Sequence, residues 1–297
     1  MSEKISIQFT RFSAFYSPVI ATIAGGFLKE AGFEPEYSIA PAGKSAIEAL
    51  LDGSAHVVQS ALSQTFGPLE RGEKPPAAHF AQINEMDGFF ITAREPDPNF
   101  SWDKLTSGEV LIDHGGQPLA MFKYACLKRG VDFDAIQAVD AGSSSDMDKA
   151  FRGGQGAYIH QQGPAPQQLE HDGAGHIVAA VGEAIGPCGF SSLAATRDWL
   201  ETDMAVRFMQ AYKKARAWII ETPAAEIAAA EASFFPDIDQ GVLATTIEAY
   251  QKLGNWSPHV EITREAYEVT VDVFLHAGRI TRRHAYEDAI AQPPASS

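Results

Sequence analysis

The stretch from Pro41 to Ser63 constrains the fold of this chain more than any other. A turn at Gly43 precedes an amphipathic helical pattern, and Gly53 stops that helix. The next residues, Ala55–Ser60, predict a buried strand. This strand carries Ser60 to its C-terminal end, the edge at which open α/β sheets bind ligands.

Strand and helix patterns alternate through about the first 190 residues, which predicts an α/β fold with mostly parallel sheets. The proline-rich break at Glu95–Asn99 and the change in character after Gly182 suggest where the chain crosses between two lobes. We therefore expect a first α/β lobe at 1–94 and a second, inserted α/β lobe at 95–182. Residues 183–297 should return to the first lobe and be mostly helical.

The opening unit also resembles a known family. The pattern Gly43-x-x-Ala46-x-x-Ala49-Leu50 followed by Gly53-x-x-x-Val57 is similar to the first βαβ unit of ABC-transporter solute-binding proteins for nitrate, taurine and alkanesulfonates. The fungal thiamine-pyrimidine synthase has the same kind of unit. The resemblance covers roughly residues 4–280 and implies a two-lobed, type II periplasmic-binding-protein-like fold with a helical C-terminal return. It also implies that a small molecule binds between the lobes and favours their closure about a hinge.

Composition excludes several classes of partner. The net charge of −15 and the lack of a Lys/Arg cluster argue against nucleic acid. No apolar run of 18 residues could span a membrane, and the first four residues do not begin a signal peptide. The sequence as written therefore predicts a cytoplasmic protein, or a periplasmic one if a leader was removed. The nine histidines and two cysteines lack metal-ligand spacing, so we expect neither metal nor cofactor.

Candidate ligand residues lie at or just beyond the ends of predicted strands. Arg11 offers a planar fork for a carboxylate or sulfonate. The glycine-rich turn after Asp113 allows the backbone to approach a ligand at a helix N-terminus, although it could be a plain connector. His160 and Gln161 could instead hydrogen-bond across the hinge, and the phenylalanines after Arg11 could pack in the core. The expected set is Arg11, Tyr16, Ser60, Asn84, His114, Gly115, Gln117, His160 and Gln161.

The leading functional hypothesis is a non-catalytic solute-binding protein for ABC-type uptake, with a small anionic or heteroaromatic ligand and an ABC permease as partner. The alternatives are an enzyme on the same fold, of pyrimidine synthase, decarboxylase or desulfinase type, and a cytoplasmic ligand sensor. Where the fungal enzyme carries a cysteine-rich motif, only Cys188 is present, and Ala61–Gln64 lacks the matching histidine. No catalytic residue is assigned; an enzyme would use Cys188 with His114 or His160.

The C-terminal helices carry three tryptophans, Trp199, Trp218 and Trp256, which should anchor them to the first lobe. The second lobe would then be joined to the first only by the two crossings. Bending should be confined near Ala93–Pro96 and Gly182–Pro187.

Overall fold

The structure is a computed structural model that describes residues 2–41 and 43–295. It has ten strands in two five-stranded sheets within these residues. In chain order the strands are β1 (Glu3–Phe9), β2 (Phe33–Ile39), β3 (Val57–Ala61), β4 (Ala78–Gln82), β5 (Phe89–Ala93), β6 (Glu109–Ile112), β7 (Gln137–Val139), β8 (Tyr158–Gln162), β9 (His176–Ala180) and β10 (Ser191–Ala195).

Each sheet forms the centre of one lobe. The first sheet has the order β2-β1-β3-β10-β4, and the second has the order β7-β6-β8-β5-β9. Neighbouring strands in each sheet are parallel except at one strand, β10 in the first and β5 in the second, which is antiparallel to both of its neighbours. The two-lobed α/β architecture expected from the sequence is therefore confirmed.

Helices cover the sheets and make up most of the C-terminal region. They are α1 (Ser17–Ala24), α2 (Phe27–Glu30), α3 (Ala46–Leu51), α4 (Ser63–Glu70), α5 (Gly116–Lys128), α6 (Ser144–Arg152), α7 (Ala165–His171), α8 (Val181–Ile185), α9 (Arg197–Leu200), α10 (Asp203–Glu221), α11 (Ala224–Glu231), α12 (Gln240–Leu253), α13 (Arg264–His276) and α14 (Tyr286–Ala289). Short 3-10 helices lie at Ala14–Tyr16, Trp102–Ser107, Phe133–Ala135 and Ala232–Phe234. None of the helices in the described ranges is long and apolar enough to cross a bilayer.

The helix of the opening unit forms as its sequence predicts. The Ser45 hydroxyl accepts a hydrogen bond from the Ile47 amide and so caps α3. Gly53 follows this helix with a φ of 77°, a left-handed conformation that favours glycine. By contrast, the segment from Ser17 to Glu30 forms two helices and not one, because Gly26 adopts a φ of 79° between α1 and α2.

Strand β5 corrects the expected position of the first crossing. We placed it in the first lobe, but it pairs with β8 and β9 in the second sheet, so the chain crosses at residues 83–88. Every residue of β5 is buried, and a strand without alternating exposed positions gives no sequence signal for which sheet it joins. The break at Glu95–Asn99 lies beyond the crossing, in the loop that leads to Trp102–Ser107.

Strand β10 was not predicted. Its sequence, SSLAA, is short and lacks large β-branched residues, yet all five residues are buried between β3 and β4. Small side chains suit a strand in the interior of the sheet, where α3 packs against it. The chain returns to the first sheet through α8, which was also not expected.

The C-terminal helices contact both lobes. Trp199 packs against Phe80 and Trp218 against Phe27, with ring centroids 6.2 and 6.1 Å apart, so both tryptophans anchor to the first lobe as expected. However, α13 packs on α5 and α12 packs on α7 of the second lobe. The expectation that the lobes are joined only by the two crossings is therefore wrong. The spacing of apolar residues indicates which face of each helix is buried, but it does not indicate which element that face packs against.

Candidate ligand-binding cleft

A cavity of about 200 Å³, here called the smaller chamber, lies between the two lobes. The first lobe contributes the ends of β1 and β3, with Arg11, Tyr16 and Ser60. The second lobe contributes Gln117, in the first turn of α5. These four members of the predicted set line the same cavity, so the structure brings them together. Because Gln117 and Pro118 belong to the first turn of α5, the partial positive charge at the N-terminus of α5 lies beside this chamber.

Arg11 is the cation of the smaller chamber. Its side chain is partly buried beside the Tyr16 hydroxyl and in the field of Asp113. Burial acts to lower the pKa of Arg11, but these two neighbours offset it and the pKa lies above its ordinary value. Among residues 2–41 and 43–295, no carboxylate forms a salt bridge with Arg11. A charged, partly desolvated guanidinium of this kind can bind an anion with two parallel hydrogen bonds.

Gln59 and Gln117 fix the walls of the smaller chamber. The Gln59 side-chain oxygen accepts hydrogen bonds from the Thr10 amide at 3.0 Å and the Thr10 hydroxyl at 2.5 Å, which ties the end of β1 to β3. The Gln117 amide nitrogen donates to the Gly189 carbonyl at 3.3 Å, across the lobes. Its buried Oε1 has no hydrogen-bond partner within the described part of the chain. That oxygen is available to a ligand or to water.

A second cavity, the larger chamber, has a volume of about 430 Å³ and shares Arg11 with the smaller one. Apolar side chains of the first lobe and of the loop before α12 form part of its wall. The second lobe contributes the N-terminus of α6 and the end of β8. The residues important here are Phe12, Ser144, Gln162, Gln168, Phe235 and Ile238.

Three other predicted residues lie away from both chambers. The Asn84 amide nitrogen donates to the Phe15 carbonyl at 2.7 Å, which places Asn84 inside the first crossing. His114 is half-buried, with Nδ1 2.7 Å from the Ile112 carbonyl oxygen. Gly115 is exposed, and its amide donates to Asp113 Oδ1 at 2.8 Å. Their roles in ligand binding remain predictions.

His160 and Gln161 also lie outside the chamber walls. The His160 ring is fully buried between Phe89 and Phe122, at centroid distances of 4.6 and 4.8 Å. Burial, together with the charge of His114, lowers the pKa of His160 to about 3. Neither ring nitrogen has a partner among the described residues. Gln161 is buried and only just reaches the Ser144 carbonyl, at 3.5 Å.

The first crossing holds a buried carboxyl group. Asp87 Oδ1 accepts a hydrogen bond from the Phe89 amide at 2.6 Å, whereas Oδ2 has no partner in the residues described. Burial raises the pKa of Asp87 to about 8; the Phe89 amide opposes this and Asp113 adds to it. Burial also raises the pKa of the neighbouring Cys188 thiol well above its usual value. A thiol that stays protonated is a poor nucleophile, which argues against Cys188 as a catalytic residue.

The lobes contact each other directly beside the cleft. The Ser13 hydroxyl donates to the Gly163 carbonyl at 2.7 Å, and the Gly163 amide donates to the Tyr250 hydroxyl at 2.9 Å. Tyr250 in turn donates to the Gly88 carbonyl at 3.0 Å. These bonds join the first lobe, the second lobe and α12 directly.

Sequence reasoning missed several residues of the larger chamber. Gln162 immediately follows the predicted Gln161, and the strand pattern did not show which of the two faces the cleft. Phe235 and Ile238 flank Pro236, a residue that marks a break between helices but does not indicate contact with a ligand. The paired aromatics at Phe234 and Phe235 were the available signal. Within the described ranges, no group of three or more His, Cys, Asp or Glu residues could hold a metal ion.

Comparison with known proteins identifies relatives over nearly the whole chain. The sequence model of the family described as NMT1/THI5 like matches residues 14–226. The Bacillus subtilis (strain 168) protein YtlA, named as a candidate binding protein, is 28% identical over 294 residues, covering 97% of this chain and 87% of YtlA.

Two solved structures show the same fold. The periplasmic aliphatic sulphonate binding protein SsuA from Escherichia coli superposes with a TM-score of 0.77 at 16% identity, covering 100% of this chain and 94% of SsuA. The periplasmic nitrate-binding protein NrtA from Synechocystis PCC 6803 gives a TM-score of 0.66 at 15% identity, covering 90% of this chain and 75% of NrtA.

Proposed function

Because this chain belongs to the NMT1/THI5-like family, we propose that it is a solute-binding protein that closes its two lobes over a small organic ligand. The observation that carries the proposal is the smaller chamber, in which polar groups from both lobes line one space. A ligand that contacts both walls binds the closed state better than the open one. Binding would therefore shift the population toward closure.

The ligand we propose carries an anionic group. Arg11 supplies the charge, and the first turn of α5 supplies a favourable dipole. Tyr16, Ser60 and Gln117 add hydroxyl and amide groups that can orient the ligand. The names of SsuA and NrtA, which refer to sulphonates and nitrate, support an anion without specifying which one.

An ABC permease is the proposed partner, and the proposed place of action is outside the cytoplasmic membrane. SsuA and NrtA are both described as periplasmic, and both share the two-lobed fold. Closure would change the relative positions of the two lobes, and a permease that contacts both could detect it. Fractionation of cells expressing the native gene tests the location. Recovery of the protein only from the cytoplasm would contradict it.

Mass spectrometry of small molecules released from the purified protein by denaturation tests the binding function. The compound recovered should raise the melting temperature of ligand-free protein. The variant Arg11→Met should bind that compound about 10- to 100-fold more weakly, as expected for the loss of a charge-assisted hydrogen bond.

The variant Arg279→Met is the matched control, because it removes the same charge from an exposed position. It should bind as the unmodified protein does. If neither the released fraction nor a fractionated metabolite extract contains a compound that stabilises the protein, the binding function is wrong.

A further inference from the structure

The larger chamber contains an unusual buried amide. Gln162, at the end of β8, is only 7% exposed and lines this chamber. Neither Nε2 nor Oε1 of Gln162 has a hydrogen-bond partner among residues 2–41 and 43–295. Burying a polar group without a partner costs free energy, so a group that is almost fully buried yet faces a cavity is poised to bind something there.

The geometry of an amide specifies its complement. A glutamine side chain presents one acceptor oxygen and two donor hydrogens in one plane. The complementary group has a donor and an acceptor side by side, as in a carboxamide or a cyclic amide. Water could satisfy the same atoms, but the rest of the wall favours an organic group.

The rest of that wall contains apolar, polar and charged side chains. Asp148 on this wall forms a salt bridge with Arg152, at 2.8 Å between Oδ2 and Nε, so its charge is offset. Phe12, Phe235 and Ile238 provide flat or branched apolar surface, which suits a ring. Arg11 lies where the two chambers share a wall. A ligand with its anionic group at Arg11 can therefore extend a ring into the larger chamber.

The volumes of the two chambers indicate room for more than a small anion. The two chambers measure about 200 and about 430 Å³. A water molecule takes up about 30 Å³ of liquid, so the larger chamber has room for many more atoms than an inorganic oxyanion carries. An oxyanion alone would leave the larger chamber and its Gln162 amide unused.

We infer that the ligand has two parts: an anionic group bound at Arg11, and a planar ring with an amide-like edge that occupies the larger chamber and pairs with Gln162. This inference rests on the proposed binding function and defines its ligand class. Gln162 is then a specificity-determining residue, and Phe12 and Phe235 form the wall against which the ring packs.

Three probes test the inference by isothermal titration calorimetry on the full chain. Acetate supplies the anion, benzoate adds a ring, and para-carbamoylbenzoate adds an amide at the far end of the ring. Affinity should rise at each step, with the amide contributing about tenfold. The variant Gln162→Met should lose only the last step, so that benzoate and para-carbamoylbenzoate bind it equally.

Gln162→Met removes no hydrogen bond found in the described structure, so it should fold. Gln155→Met is the matched control at an exposed position and should keep all three steps. The inference is overturned if acetate and para-carbamoylbenzoate bind equally, if no probe binds, or if Gln162→Met keeps the preference for the amide. None of these outcomes contradicts the binding function, which is tested separately by the compound released on denaturation.

Discussion

The hydroxyl oxygen of Tyr250 lies 2.9 Å from the amide nitrogen of Gly163, and this hydrogen bond joins α12 to the second lobe. The same hydroxyl donates to the Gly88 carbonyl in the first crossing. One side chain thus ties α12 to the adjoining ends of β5 and β8, since Phe89 and Gln162 are paired in the second sheet. We expect this contact, together with any ligand, to favour closure of the lobes.

Replacing Tyr250 with phenylalanine should weaken closure. The change leaves the buried Gly163 amide without its acceptor, which costs about 1–3 kcal/mol. Small-angle scattering of ligand-free protein should give a larger radius of gyration than the unmodified chain, and urea denaturation should show reduced stability. Tyr37→Phe, at an exposed tyrosine, is the control and should change neither. An unchanged radius in Tyr250→Phe would mean that this contact does not hold the lobes together.

Gly163 itself should tolerate no side chain in the closed state. A Cβ atom there would lie 2.6 Å from Thr246 Cγ2 and 2.8 Å from the Tyr250 hydroxyl, both on α12. Gly163→Ala should therefore separate α12 from the second lobe and increase the radius of gyration of ligand-free protein. Gly67→Ala, whose added atom would make only ordinary contact with Arg71, serves as the control. Equal radii for both variants would argue against close packing at Gly163.

Asp87 should make stability fall as pH rises. Its pKa is about 8 in the folded protein and near 3.8 when unfolded, so the folded state binds more protons between these values. The unmodified protein should lose stability across that window, relative to Asp87→Asn, by on the order of a few kcal/mol. Urea denaturation at pH 5 and pH 9, with the exposed Asp134→Asn as control, measures the difference. A gap between the two proteins that stays constant with pH would refute the ionisation of a buried Asp87.

His160 should have the opposite pH dependence. The pKa of His160 in the folded state, about 3, lies below the ordinary 6.5. Between these values the folded state binds fewer protons than the unfolded state, so the protein loses stability as the pH falls from 6.5 toward 3. His160→Phe should gain about 1 kcal/mol at pH 7, because two unpartnered nitrogens leave the core. Its advantage should widen at pH 5.

The control for this experiment is His171→Phe, at an exposed histidine, which should show no such widening. Destabilisation by His160→Phe at pH 7 would mean that the ring nitrogens have partners in solution. A gain in stability with loss of ligand binding would assign His160 to the ligand, as its position after a predicted strand first indicated.

The sequence predicted the two-lobed fold because its strongest local signals were sufficient. The turn at Gly43 and the stop at Gly53 define α3 whatever surrounds it. The sequence could not show which sheet β5 joins. Its pairing with β8 and β9 is a long-range contact, and a fully buried strand carries no local signal for its neighbours. Strand β10 was missed because Ser and Ala have low β propensity. They fit this strand only because of its buried position in the sheet.

The sequence predicted those residues of the candidate site whose position is determined by the end of a strand. Arg11 and Ser60 follow or end strands and line the cleft, as the rule for open sheets indicates. His160 lies on a strand as well, but its side chain faces α5 and packs on Phe122. Phe235 lies in the linker between α11 and α12, and its position in the cleft follows from the packing of these two helices, a long-range feature that the sequence does not show.

The position of β10 between β3 and β4 has a consequence for how the chain folds during synthesis. All five strands of the second sheet lie between residues 89 and 180, so this lobe has its complete sheet as soon as that segment leaves the ribosome. In the first sheet, β4 pairs with no other strand than β10 in the described chain, and β10 is made about a hundred residues later. The lobe that begins the sequence is therefore the last to be completed.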